Sequence, residues 1–194
     1  MSVLVLVLGL VVFLGVHSIR IVADDWRSAR IASGGVRKWK RLYTVGSLVG
    51  FALIVWGYSI ARQQPVSLWL PPLWTRHVAA LLVLVAFILF AATNGPPNHF
   101  KAAIGHPMYA GTVVWAAGHL LANGTLADLL LFGSFLIWAG VGFGSARARD
   151  RRDGTTYPPG KPRGTLIAVV AGTVAWAVFA FLLHGPLIGV RPLG

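Results

Sequence analysis

The sequence predicts an all-α fold, a polytopic membrane helix bundle of about six transmembrane helices, and three observations predict it. Of its 194 residues, 56% are apolar and only 11% charged, and the mean hydropathy is +0.72, more apolar surface than one soluble core needs. Six apolar stretches are each long enough, at roughly 20 helical residues, to cross a hydrocarbon layer of about 30 Å. Most basic residues lie outside those stretches, in two loops.

The first span runs from Ser2 to about Val22. It lacks a basic leader and a small-x-small cleavage site, so it is expected to stay as a helix of the mature protein. The second runs from about Leu42 to Ala61 and carries Gly46 and Gly50, a spacing that allows close helix approach. The third covers about Trp74 to Thr93, the fourth about His106 to Asn123 and the fifth about Leu126 to Phe143, where Gly140 and Gly144 repeat the glycine spacing. Spans four and five form a tight hairpin: Gly124 suits a helix C-cap, and Thr125 with Asp128 reads as a capping box with Asp in place of Glu, giving Asp128 a structural job. The sixth runs from Thr165 to about Val190. With no repeat at fixed period and no soluble module, residues 1–194 read as a single transmembrane helical domain.

With six spans, the loop from Arg20 to Arg41, the loop from Arg147 to Arg163 and Lys101 share one face, which then holds fourteen of the 17 basic residues. The positive-inside rule makes that face cytoplasmic and both termini external. The net charge of +12 is thereby accounted for by orientation and by attraction to the headgroups of the lipid bilayer, and no nucleic-acid partner is expected. The segment 23–41, with Trp26 and Trp39 among its basic residues, suits the headgroup layer. Loop 62–76 carries Trp69 and Trp74 as interfacial anchors or as the cover of a pocket. The absence of cysteine excludes disulfides, iron–sulfur ligation and thiol catalysis, and leaves imidazole, Asp, Tyr, Arg and Lys as the chemical repertoire.

Ionisable groups within a bilayer are costly, so the histidines are the candidate site. His99 reads as solvated and His184 as a span-end residue, which leaves His17, His77, His106 and His119. His106 and His119 are separated by about 20 Å of rise and about 220° of rotation on a straight helix, so they cannot share one ion. Counting depth groups His77 with His119 and His17 with His106, while helix tilt or a first span continuing past Val22 would bring His17 within reach of a cofactor also bound by His119. Imidazoles in an apolar bundle without other ligands suit haem b better than zinc or a carboxylate-bound metal, because haem needs one or two axial ligands and an apolar slot. Arg20, one turn beyond His17, and Arg76, beside His77, are candidate partners for its propionates. The competing reading is interhelical hydrogen bonding.

The segments LGLVVFLGVHSIRIV, RLYTVGSLVGFALIVWGY, LWLPPLWTRH and HPMYAGTVVWAAGHLLANGTLADLLLFGSFLIWA, taken in order, resemble the NnrU family of bacterial inner-membrane proteins, related to the 15-cis-ζ-carotene isomerases of plants and cyanobacteria. The resemblance spans nearly the whole chain. It implies residence in the bacterial inner membrane and an association with denitrification, that is, with nitrite and nitric oxide reduction. From the isomerase group it implies haem b held by two histidines, and a redox-dependent cis–trans isomerisation of a polyene as the enzyme reading. The ligand positions correspond to His17 in GVHSIR and His119 in AAGHLLANG, with Gly118 where that group has Ala. His77 and His106 are second-tier ligand candidates. A lipophilic polyene or NO would be the small-molecule partner, and the redox partner is left unspecified.

Two other classes compete. HPMYAG is similar to the RHPxYxG segment of membrane methyltransferases that use S-adenosylmethionine, although Gly105 stands where they have Arg and the chain contains no Glu. A noncatalytic assembly factor of a respiratory complex also fits a small bundle, and co-purification with a reductase subunit would favour it.

Overall fold

The computed structural model describes residues 2–193. The described backbone is helical, without strands; its one β-bridge joins Ser67 to Thr125. The helices are α1 (Ser2–Val22), α2 (Asp24–Gly34), α3 (Val36–Ala61), α4 (Thr75–Asn94), α5 (His99–Ile104), α6 (Pro107–Ala122), α7 (Leu126–Asp153), α8 (Pro162–Ala177) and α9 (His184–Ile188), the last two linked by a π-helical stretch, Val178–Leu183. Five of these segments are long and apolar enough to cross a membrane: Val3–Val22, Val36–Ala61, Thr75–Asn94, Leu126–Asp153 and Pro162–Ile188.

The segment expected to be the fourth span is shorter than the sequence suggested. His106 lies outside α6, Pro107 takes the first helical position, where its missing N–H does no harm, and Asn123 is already extended. The 16 residues between rise about 24 Å, less than the hydrocarbon thickness. Two further boundaries shift. The basic segment after α1 is itself helical: Asp24 and Asp25 favour the start of α2, and Gly35, at φ +81°, ends it. Likewise α7 runs ten residues beyond the apolar stretch and carries Arg147, Arg149, Arg151 and Arg152 on helix.

The chain forms two compact units, Met1–Trp69 with Thr125–Trp138, and Leu70–Gly124 with Ala139–Gly194. In the first, α1 and α3 pack antiparallel along small residues. A Cβ added at Gly50 would lie 2.6 Å from the Phe13 nitrogen, one at Gly9 2.5 Å from that of Ile54, and one at Gly46 3.0 Å from Val16. The glycine pair of α3 therefore does let the helices approach. In the second unit α4 packs against both α6 and α8. Here the glycine expectation fails for α7: Gly140 and Gly144 face open space, and it is Gly142 that lies under the Tyr109 ring. The contact face passes through the residue between them, because two residues on a helix are about 200° apart.

The link from α4 to α5 is tightly built. Asn98 is 1% exposed; its Oδ1 accepts from the Lys101 amide at 2.8 Å, and its Nδ2 donates to the carbonyls of Ala92 at 3.0 Å and Pro96 at 2.9 Å. Lys101 Nζ donates to the Thr93 carbonyl at 3.0 Å, and the Pro97 carbonyl accepts from the Lys161 amide at 3.2 Å, with Gly164 beneath it. The Asn98 and Lys101 side chains thus satisfy backbone groups of α4, of α5 and of the turn itself.

Candidate functional site

His17 lies one turn and a half before the end of α1. Because Cβ atoms on a helix tilt toward its N-terminus, the imidazole reaches back to the preceding turn, where Nδ1 lies 2.7 Å from the Phe13 carbonyl. A carbonyl only accepts, so Nδ1 carries the proton and the lone pair of the neutral ring is on Nε2. That nitrogen has no hydrogen bond among the described residues. The ring stacks on Phe13 at 4.1 Å, with Tyr43 of α3 at 5.1 Å and Trp138 of α7 edge-on at 6.0 Å. Phe51 and Phe135 flank Phe13 at 6.4 and 5.8 Å. His17 thus stands in an aromatic shell with one fixed tautomer.

His119, in the last turn of α6, repeats the local geometry in the other unit. Its Nδ1 donates to the Trp115 carbonyl at 2.9 Å, and the Trp115 ring lies 5.1 Å away. The lone pair of the neutral ring is again on Nε2. The Asn123 side-chain Nδ2 donates to the His119 carbonyl at 2.8 Å, beside its backbone N–H at 2.9 Å, and so closes the helix end on which the imidazole sits. Gly118 lets α6 approach α4, its Cβ position being 3.1 Å from Leu82 and 3.4 Å from the Ala79 carbonyl. His77 and His119 therefore lie at the same end of the α4–α6 pair, as depth counting predicted.

His106 is arranged differently. Just outside α6, it points Nε2 at Asp150 Oδ2, 2.9 Å away on α7. The Tyr157 hydroxyl donates to the same carboxylate oxygen at 2.9 Å and lies 3.1 Å from the imidazole nitrogen, with Arg147 at 3.8 Å from that oxygen. The carboxylate accepts, so the proton sits on Nε2 and the lone pair of the neutral ring on Nδ1. Gly105, at φ +77°, lets the chain pass under the Tyr157 ring. Tyr157 lies in the loop after α7; partial desolvation, and then its bond to Asp150 and that residue's charge, hold its phenol above the usual tyrosine value.

The remaining candidates are less engaged. His77, Arg76 and Arg20 are exposed, and their side chains make no hydrogen bond or ion pair among the described residues. His99 is exposed but tied down, its Nδ1 2.7 Å from Thr165 Oγ1, and His184 Nδ1 donates to the Val190 carbonyl at 2.6 Å. Asp128 has the structural job expected of it. Its Oδ2 accepts from the Thr125 amide at 3.0 Å and hydroxyl at 2.6 Å, and its own amide donates back to Thr125 at 3.2 Å. The Tyr58 hydroxyl, 2.6 Å from Oδ1, is a partner that the local sequence does not disclose. Asp150 and Tyr157 also went unread, although a histidine next to a helix start calls for an acceptor, and five acidic residues in the whole chain leave few to consider. Among the described residues no three His, Cys, Asp or Glu side chains gather as metal ligands.

The family profile described as NnrU protein matches residues 5–192. The chain belongs to the NnrU family. No curated protein and no solved structure gives a match. Membership covers both units and so includes each of the histidines described above; the aromatic shell of His17, the α6 terminus at His119 and the His106–Asp150–Tyr157 cluster are features of an NnrU-family membrane protein.

Proposed function

We propose that this NnrU-family protein is a haem b protein of the bacterial cytoplasmic membrane that serves denitrification, with His17 and His119 as the iron ligands implied by the resemblance. The observation that carries the reading is their shared geometry. Each donates Nδ1–H to the carbonyl four residues earlier, at 2.7 and 2.9 Å, and so holds Nε2 as the electron-pair donor. An outer hydrogen bond of this kind fixes the tautomer and orientation of ligating histidines. The donor set also fits the group, since haem iron takes imidazole and an apolar, aromatic surround, whereas hard-metal sites need carboxylates.

In this reading the Phe13 and Trp115 carbonyls orient the two rings, and Phe13, Tyr43 and Trp138 keep water from His17. Bound haem would supply reversible one-electron chemistry, directed at NO or at the double bonds of a polyene. Rotation of a polyene bond is the enzyme form of this proposal, and electron transfer without turnover is the carrier form; both use the same ligands. With α6 crossing as the fourth of six spans, both basic loops would lie in the cytoplasm.

The test is the optical spectrum of detergent-purified protein, oxidised and dithionite-reduced, with His17→Ala, His119→Ala and His77→Ala beside it. The expected result is a six-coordinate b-type spectrum that is lost in the first two variants and kept in the third. Folded protein from haem-sufficient cells without a Soret band would overturn the proposal.

A further inference from the structure

Between α2 and the start of α3, in the first unit, the structure contains a notch of about 210 Å³ lined by Trp26, Arg30, Ser33, Lys38, Trp39 and Leu42. Its two indoles meet edge to face at 6.0 Å and 75°. Arg30 lies over Trp26 at 5.4 Å, and Arg27 lies over Trp39 at 5.8 Å. The two arginines differ in what neutralises them. Arg27 has Asp24 at 3.5 Å, whereas Arg30 and Lys38 have no acidic partner among the described residues. Two uncompensated cations, the Ser33 hydroxyl, whose long bond to the Arg30 carbonyl at 3.4 Å is readily exchanged, and the exposed apolar Leu42 thus converge on one recess.

The position of the recess says what fills it. α2 has no buried residue, and it joins two helices that are long and apolar enough to cross the membrane. A short helix in that place, with tryptophans and cations, lies at the headgroup layer. The volume is that of several waters, at about 30 Å³ each, enough for a phosphate and its first glycerol carbons. We infer that the notch binds the phosphodiester of an anionic phospholipid, with Arg30 and Lys38 on the phosphate, Ser33 donating a hydrogen bond, the two indoles against the glycerol and Leu42 at the root of the acyl chain. Charge and shape both favour this occupant: a zwitterionic headgroup brings its own cation next to Arg30 and Lys38, and inorganic phosphate leaves the indoles and Leu42 uncovered. The inference is independent of haem.

The experiment is native mass spectrometry of the purified full-length protein in detergent, titrated with phosphatidylglycerol or phosphatidylcholine. Arg30→Gln/Lys38→Gln is compared with Arg37→Gln/Lys40→Gln, a pair outside the notch with the same change in charge. Phosphatidylglycerol adducts are expected to exceed phosphatidylcholine adducts on the wild type. They should fall by about tenfold or more in the notch variant and by less than about threefold in the control, since in detergent a solvated cation outside the recess gains little from an ion pair. Equal losses in the two variants mean diffuse attraction and overturn the inference, as does equal binding of the two lipids. Displacement of the adduct by millimolar inorganic phosphate overturns it in favour of a free-anion site. Arg30, Lys38, Arg37 and Lys40 are all exposed, and unchanged helix content by circular dichroism in both variants keeps the comparison valid.

Discussion

His17 and His106 hold their imidazoles in opposite tautomers. His17 spends Nδ1 on the Phe13 carbonyl of its own helix and presents Nε2; His106 spends Nε2 on Asp150 and presents Nδ1. The first arrangement is local, since the side chain points back along its own helix toward the carbonyl one turn earlier. The second needs a carboxylate 44 residues away, and a histidine just outside the helix, where its own backbone offers no such acceptor. A nitrogen presented at the tip of the ring meets a large planar ligand more easily than one beside the backbone, so position on or off a helix sorts these histidines chemically.

The contrast is sharpest in haem content. His17→Ala is expected to abolish the b-type spectrum of the purified protein and His106→Ala to leave it unchanged; loss in both, measured per folded protein, would break the distinction. The next largest effect concerns the helix that carries His17. Gly50→Ala puts a methyl 2.6 Å from the Phe13 nitrogen, and the shift this forces on α1 should cost about 1–3 kcal/mol. Gly140→Ala, facing open space, should be neutral or slightly stabilising, because Ala is the better helix former by about 1 kcal/mol. Thermal unfolding in one detergent checks the pair.

Tyr58→Phe removes the 2.6 Å bond to Asp128 and should destabilise by about 1–2 kcal/mol without altering the His17 shell, which would show as a lower melting temperature with an unchanged haem spectrum. The smallest effect belongs to the other cluster. Asp150→Asn removes the charge that helps to raise the Tyr157 phenol, so the alkaline titration of Tyr157, taken as the difference from Tyr157→Phe, should move to lower pH. Amide exchange in residues 154–161 should rise as the loop loosens. No movement of the titration would mean that desolvation alone sets it.

What could be read from the sequence follows the same division between local and distant. The all-helical membrane fold was legible because its signal, length and apolarity, is carried within each span. The Thr125–Asp128 box was legible for a similar reason, its partners being three residues apart. Tyr58 was not, because it meets Asp128 across 70 residues. The paired glycines illustrate both outcomes: Gly46 and Gly50 lie on a packing face and Gly140 and Gly144 do not, although the four-residue spacing is identical, since spacing sets a shared face without saying which neighbour it meets. The length of α6 was overestimated because apolar composition continues beyond the backbone breaks at His106 and Asn123.

The buried Asn98 turn bears on how this protein can be handled. A connection of four residues between two helices is where one would ordinarily cut the chain to insert a fluorescent reporter or a protease site. Here such an insertion would pull Asn98 from its three backbone partners and Pro97 from Lys161. The exposed residues 154–156, held by the Thr155 amide on the Asp150 carbonyl but not buried, offer the better place for a graft, for tolerance to insertion follows the burial and bonding of the backbone that is interrupted, not the apparent looseness of the segment.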